Sequence, residues 1–257
     1  MIQIIIFTNQ KGGVGKTTSC RELSLFTASL GFKVCVVDSD PQGNLTKSLL
    51  SEEEITSGLY EALNGDEYNL VKVNSNISLL AGDRKLAALE KRLVGEMDAF
   101  TRLKDIFSTD IFRDFNYIFI DSPPSLGILT GNGLTAATHF VIPMSPALYT
   151  LQGTNDLMDT IAKVRRSLNP DLKLLGVIIN AYDSKPVITR QIHEEIRESF
   201  GDIVFAAHLS KTIKIEEAIA QKIGVTELKH LDRSRVREEV AAIGNELLRR
   251  LEDDNGT

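Results

Sequence analysis

IQIIIFTNQKGGVGKTTSC, residues 2–20, is the stretch that decides how this chain reads. IQIIIF (2–7) is apolar without alternation, the pattern of a strand covered on both faces. Gln10-Lys11-Gly12-Gly13-Val14-Gly15-Lys16-Thr17-Thr18 follows directly, and a helical stretch opens at its end. A glycine-rich turn between a buried strand and a helix lets successive backbone N–H groups converge on phosphate oxygens. The helix aims its positive end at the same point. The spacing therefore predicts a nucleotide-phosphate loop over Lys11–Thr18, with Gly12, Gly13, Val14, Gly15 and Thr18 supplying the cradle. Lys16 is expected to neutralise the β/γ-phosphates, and the Thr17 hydroxyl to hold Mg²⁺.

Outward from that loop, KVCVVD (33–38), YIFID (117–121), FVIP (140–143) and LKLLGVIIN (172–180) are further continuous apolar runs. Helical stretches separate them. Residues 16–31 run to a stop at Gly31, and 84–107 place Leu86, Leu89, Leu93, Met97, Phe100, Leu103 and Phe107 at helical spacing. Residues 150–168, 188–200 and 234–251 read as helices as well. Strand–helix alternation of this kind predicts an α/β fold: a doubly wound, mostly parallel sheet flanked by helices. No repeat, low-complexity tract or linker interrupts it, so 1–257 is expected to be a single P-loop NTPase domain.

Composition bounds the rest. Of 257 residues, 42% are hydrophobic and 25% charged, which are globular values. The two cysteines, Cys20 and Cys35, lack metal-site or redox spacing, so no disulfide framework is expected. The opening apolar run is too short for a signal sequence, and no apolar stretch is long enough for a bilayer. A cytoplasmic chain without stable membrane insertion is the expectation. Net charge is −6 (29 Lys/Arg against 35 Asp/Glu), which excludes a chain basic throughout. Residues 206–250 nevertheless carry nine Lys/Arg against seven Asp/Glu, which allows a local basic surface.

Three acids fall where a parallel sheet presents its ligand edge. Asp38 and Asp40 end one strand in VVDSDPQGN, and Asp121 ends another in YIFIDSPPS. Asp38 is expected to support the Mg²⁺ shell through water, and Asp40 to orient the attacking water. Asp121 suits the carboxylate that contacts Mg²⁺ through water or through Thr17. Pro123-Pro124 then form a stiff turn placed to sense the γ-phosphate.

The loop departs from the usual G-x-x-x-x-G-K-[ST] at its first position, where Gln10 stands, followed at once by Lys11. KGGVGKTT is similar to the deviant Walker A motif of the ParA/MinD class. DSPPSLGILTGNGLTAATHFVIPMSPALYTLQG (121–153), VVDSDPQGNLT and LGVIINAYDSKPVITRQIHEEIRESFGDIVF (175–205) resemble the ParA/Soj partition ATPases over nearly the full chain. The resemblance implies that Lys11 reaches across an ATP-induced sandwich dimer and stabilises transition-state charge in trans. It implies a short, Soj-like form without a helix-turn-helix extension. It also implies nonspecific double-stranded DNA and a ParB-type centromere-binding protein as partners, with nucleoid association.

The C-terminal third departs more. Where the family commonly reads I-P-R-N-V-R-L-S-E-A, this chain reads Leu209-Ser210-Lys211-Thr212-Ile213-Lys214-Ile215-Glu216-Glu217-Ala218. Ser210 replaces the proline that lies against adenine in relatives. Asn180 then has two readings, a contact to the adenine edge or a strand-end turn residue. Arg233-Ser234-Arg235 matches the family's R-S-R. By resemblance Arg233, Arg235 and Arg237, with Lys211 and Lys214, contact DNA phosphates without reading sequence. The alternative is a solvated helix start beside Asp232, Glu238 and Glu239. A MinD-like membrane-associated switch would need a basic amphipathic C-terminal helix, and LLRRLEDDNGT closes on acids. An iron–sulfur carrier would need paired cysteines. A metabolic ATP-dependent ligase would share the fold but need its own small-molecule site.

Overall fold

The computed structural model describes residues 2–147, 154–183, 185–228 and 234–255. One sheet of seven strands runs through it: β1 (Gln3–Phe7), β2 (Val34–Asp38), β3 (Val71–Lys72), β4 (Ile77–Leu80), β5 (Tyr117–Asp121), β6 (His139–Met144) and β7 (Lys173–Ile179). Their order across the sheet is β3-β4-β2-β5-β1-β6-β7. Every pairing is parallel except β3 with β4, which is antiparallel at the edge. This is the mostly parallel, doubly wound sheet the sequence predicts.

The helices cover both faces: α1 (Lys16–Ser29), α2 (Asn44–Leu49), α3 (Leu59–Asn64), α4 (Lys85–Arg92), α5 (Arg102–Phe107), α6 (Ile128–Ala136), α7 (Thr154–Ser167), α8 (Val187–Phe200), α9 (Lys214–Ala220) and α10 (Arg235–Asn255). Successive strand residues point to opposite faces, so the continuous apolar runs feed two cores. Ile6, Val37 and Ile120 pack under α4–α8. Ile5, Val36 and Phe119 pack under α1, α2, α9 and α10. In the second layer α1 is itself covered by α10. Gly244 of α10 lies so close to Phe26 of α1 that a Cβ there would come within 2.2 Å of the ring.

Three differences from the expected elements have physical causes. The stretch 84–107 is two helices, because Gly95 takes a left-handed φ of 94° and turns the chain between them. Leu86, Leu89, Leu93, Leu103 and Phe107 are buried as the spacing predicts, while Met97 in the connection is fully exposed. Strand β4 is not among the expected strands, because its apolar run, ISLL, is short. β3 is only two residues long. Helix α1 stops where expected: Gly31, at φ 96°, donates its N–H to Ala28 O at 3.0 Å. The expected start of helix 150–168 lies partly outside the described residues, and α7 begins at Thr154.

Candidate nucleotide site

The loop between β1 and α1 sits at the carboxyl edge of the sheet, flanked by β5 and β6. Its two ends are tied down by asparagines. Asn9 accepts the Lys11 N–H at 3.0 Å and donates to Pro143 O at 2.8 Å, anchoring the loop entrance to β6. Asn180, just past β7, donates to Val14 O at 3.0 Å and accepts the Ser19 hydroxyl at 3.1 Å. Gly13 and Gly15 hold the loop open with φ of 72° and 87°. A Cβ at Gly15 would lie 2.8 Å from Asn180 Nδ2, so that position needs glycine twice over. Nothing lies within 4 Å of where a Cβ would sit at Gly12 and Gly13, which face outward over the loop mouth. Val14 is buried, and Thr18 on the first turn of α1 is half-buried.

Lys16 Nζ crosses the loop and donates to Lys11 O at 3.2 Å. Burial lowers its pKa, opposed by the charges of Asp121 and Asp40. Those two carboxylates and the lysine therefore share one electrostatic environment. The Thr17 hydroxyl donates to Asp121 Oδ2 at 2.6 Å. The other oxygen, Asp121 Oδ1, is buried and has no hydrogen-bond donor among the described residues. Burial, with the neighbouring Asp38 charge, pushes the Asp121 carboxyl well above the ordinary carboxylate range. An orphaned acidic oxygen beside the loop threonine fits a divalent cation, which would give it the charge partner it lacks. Thr17 and Asp121 are residues that could hold such a cation, with Asp38 across from Asp121 at the end of β2.

Asp38 and Asp121 stand opposite one another at the ends of β2 and β5. Asp38 is turned inward: Oδ2 accepts Thr46 N and Thr46 Oγ1, both at 2.8 Å, and Oδ1 accepts Asp40 N at 3.2 Å. Burial still pushes its carboxyl up to about 6. Its three bonds brace the turn that carries Asp40. Asp40 accepts Gln42 N at 2.9 Å through Oδ1, a turn that holds the carboxylate near Lys16. Ser39 and Ser122 fasten this edge, the first through Asp121 O at 2.6 Å and the second through Phe7 O at 2.9 Å. Beyond Pro123-Pro124, Glu90 of α4 accepts the Leu129 N–H at 3.3 Å at the start of α6.

The C-terminal residues of the sequence reading divide. Asn180 is buried, and both ends of its amide serve the loop and α1, so the structure builds it as a brace for the P-loop. Ser210 pairs with Tyr182 in a parallel bridge past β7 and gives both its N–H and its hydroxyl to Glu239. A cavity of about 340 Å³ opens between these segments, lined by Tyr182, Lys185, Ser210, Lys211, Lys214 and Arg235 among others. Lys214 pairs with Glu217 at 2.8 Å, and Arg235 with Glu239 at 2.8 Å. Lys211 is exposed and Arg237 half-buried. Arg233 lies outside the described residues. Sequence reasoning missed Asn9, Ser19, Thr46 and Glu239. Each is a polar side chain of ordinary local context, whose role appears only with its folded partner: Pro143 for Asn9, Asn180 for Ser19, Asp38 for Thr46 and Ser210 for Glu239.

A family model described as an AAA domain matches residues 2–174. The sporulation initiation inhibitor protein Soj of Bacillus subtilis is 35% identical over 85% of this chain and 88% of its own length. The chromosome partitioning protein ParA of Myxococcus xanthus is 34% identical over 96% of this chain and 88% of its own. A crystal structure of cobyrinic acid a,c-diamide synthase from Mycobacterium smegmatis, with a bound ATP analog and magnesium, superposes with a TM-score of 0.85 at 29% identity. That match covers 99% of this chain and 97% of the other. The loop with its early lysine, the three strand-end acids and relatives this similar over this much length lead to one assignment: the chain belongs to the ParA/Soj family of P-loop partitioning ATPases.

Proposed function

We propose that this chain is a Mg²⁺-dependent ATPase that works as a DNA-partition switch. The observation that carries the reading is the loop itself. Lys16 is buried across the loop, Thr17 is bonded to Asp121, and a second lysine, Lys11, stands at the loop entrance where the fold does not require one. Lys16 binds and orients the β/γ-phosphates. Thr17 and Asp121, with Asp38 through water, would hold Mg²⁺, which when bound would neutralise charge on the phosphate oxygens. Asp40, held by the Gln42 N–H beside Lys16, orients the attacking water and receives its proton. Asp38 fixes the turn on which Asp40 sits.

ATP joins two subunits face to face, and Lys11 of each stabilises transition-state charge on the other's nucleotide. The joined form binds nonspecific double-stranded DNA through Lys211, Lys214, Arg233, Arg235 and Arg237. A ParB-type centromere-binding partner speeds hydrolysis and releases it, so turnover serves a shift of populations. The protein is then cytoplasmic and nucleoid-associated. Among the described residues no helix is long and apolar enough to cross a membrane.

The test is duplex DNA binding by Asp40→Ala protein with ATP–Mg²⁺, with ADP and with no nucleotide, at two salt concentrations. Binding only with ATP, weakened by salt, is the expected result. Equal binding in all three states, or none in any, overturns the switch.

A further inference from the structure

Thr46, in the first turn of α2, is buried, and its polar groups are committed to two other segments. Its N–H and its hydroxyl both donate to Asp38 Oδ2, each at 2.8 Å. The same hydroxyl oxygen accepts the Gly82 N–H at 3.0 Å. A hydroxyl has one proton to give, so with that proton on Asp38 and a lone pair on Gly82 its direction is fixed. Thr46 therefore joins the end of β2, the residues after β4 and the start of α2.

The backbone around this hydroxyl meets without side chains between the segments. A Cβ at Gly82 would come within 2.3 Å of Asp38 O, and one at Gly43 within 2.9 Å of Gly82 O. Gly43 also sits at φ 62°, a conformation that favours glycine. Two glycines thus let the three segments approach closely enough for one threonine to bond both of the others.

The contacts lead on to Asp40. The terminal torsion of an aspartate is broad, with no staggered well to hold it. Two bonds from Thr46 to one oxygen of Asp38 remove that freedom and aim the other oxygen, Oδ1, at the Asp40 N–H, 3.2 Å away. From there the turn closes on itself: Asp40 Oδ1 accepts Gln42 N at 2.9 Å, and Asp40 O accepts Gly43 N at 2.9 Å.

We propose that Thr46 is a positioning residue for ATP hydrolysis: its hydroxyl fixes the Asp38 carboxylate, and through it the backbone from which Asp40 orients the attacking water. This rests on the reading of Asp40 given above and adds the residue that holds it in place.

Thr46→Val keeps the shape and the backbone bond to Asp38 and removes only the hydroxyl. In the nucleotide-free protein, amide hydrogen exchange at Asp40 and Gly82 is expected to quicken by at least about tenfold, with β1 and β5 unchanged. In single-turnover assays the hydrolysis rate falls about tenfold, the scale of a misplaced reacting group, while ATP affinity by equilibrium titration stays within about twofold. Thr46→Ser, which returns the hydroxyl, restores both exchange and rate. In an Asp40→Ala background Thr46→Val costs less than about twofold, because the residue it positions is already gone. Should Thr46→Val not fold, Thr46→Ala, which cannot overpack the site, is expected to show the same split between rate and affinity. A parent-like exchange rate at Asp40, a parent-like hydrolysis rate, or no rescue by serine overturns the proposal. So does a full further loss on Asp40→Ala, which would place the effect of the hydroxyl elsewhere. A fully active Asp40→Ala protein overturns the water-orienting reading itself, and is told apart because it needs no change at Thr46.

Discussion

Arg21→Met is expected to destabilise the fold by about 3–5 kcal/mol at pH 8, the range for breaking a buried ion pair from one side. Arg21 and Glu22 lie on α1, just after the phosphate loop, with side chains 0% and 1% exposed. The guanidinium is bonded to the Glu22 carboxylate and donates to Ile223 O at 2.8 Å and Ser48 O at 3.4 Å. Glu22 Oε2 takes the Val225 N–H at 2.8 Å. The pair therefore ties α1 to the end of α2 and to the segment after α9. Methionine fills much of the volume but leaves Glu22 one backbone donor and no counter-charge, and strands two carbonyls. At about 2–4 °C per kcal/mol for a chain of this size, the melting temperature falls by roughly 6–20 °C. The sign of the pH dependence follows from Glu22. Burial already raises its pKa above the ordinary value, against the pull of Arg21. Removing Arg21 raises it further. A raised carboxyl favours the folded state below its unfolded pKa and loses that contribution as pH rises through the folded value. The deficit should thus be smaller at pH 5.5 than at pH 8. Arg21→Met/Glu22→Leu, which removes both charges, should recover most of the loss. Thermal unfolding of the three proteins at the two pH values is the assay. A deficit under about 1 kcal/mol at pH 8, or one independent of pH, would refute the reasoning.

Gly15→Ala should weaken binding of a fluorescent ATP analogue by at least about tenfold, since a side chain there meets Asn180 and a φ of 87°; unchanged affinity would show that the loop relaxes freely. Lys16→Ala should abolish ATP binding, read by equilibrium titration, and full binding would remove it from the phosphate site. Asp40→Ala should retain ATP binding and lose hydrolysis by a factor of about 10²–10⁴, the usual scale for a lost general base; a fully active variant would end the water-orienting role. Lys11→Ala should bind ATP as a monomer. Normal ATP-dependent dimerisation, measured by light scattering, would sink the action in trans.

The amino-acid sequence alone determined the phosphate loop, the strands that carry it and the acids at their ends. These are local signals: a continuous apolar run, glycines where positive φ is needed, and carboxylates at strand ends. The loop angles at Gly13 and Gly15 and the Asp38–Asp121 register are what such patterns imply. What the tertiary structure alone decided is how those residues are held. Asn180 reads equally as a base contact or a turn residue until its amide is seen on Val14 and Ser19, more than 160 positions away. Asp38 reads as a strand-end acid, and only the fold shows Thr46 donating to it twice. Glu239 reads as one more acid on a solvated helix start, and its contact with Ser210 across a turn of the fold exists only in the structure. Hydrogen-bond partners joined by a folded chain leave no periodic trace in sequence, whereas burial and backbone conformation select residue types position by position.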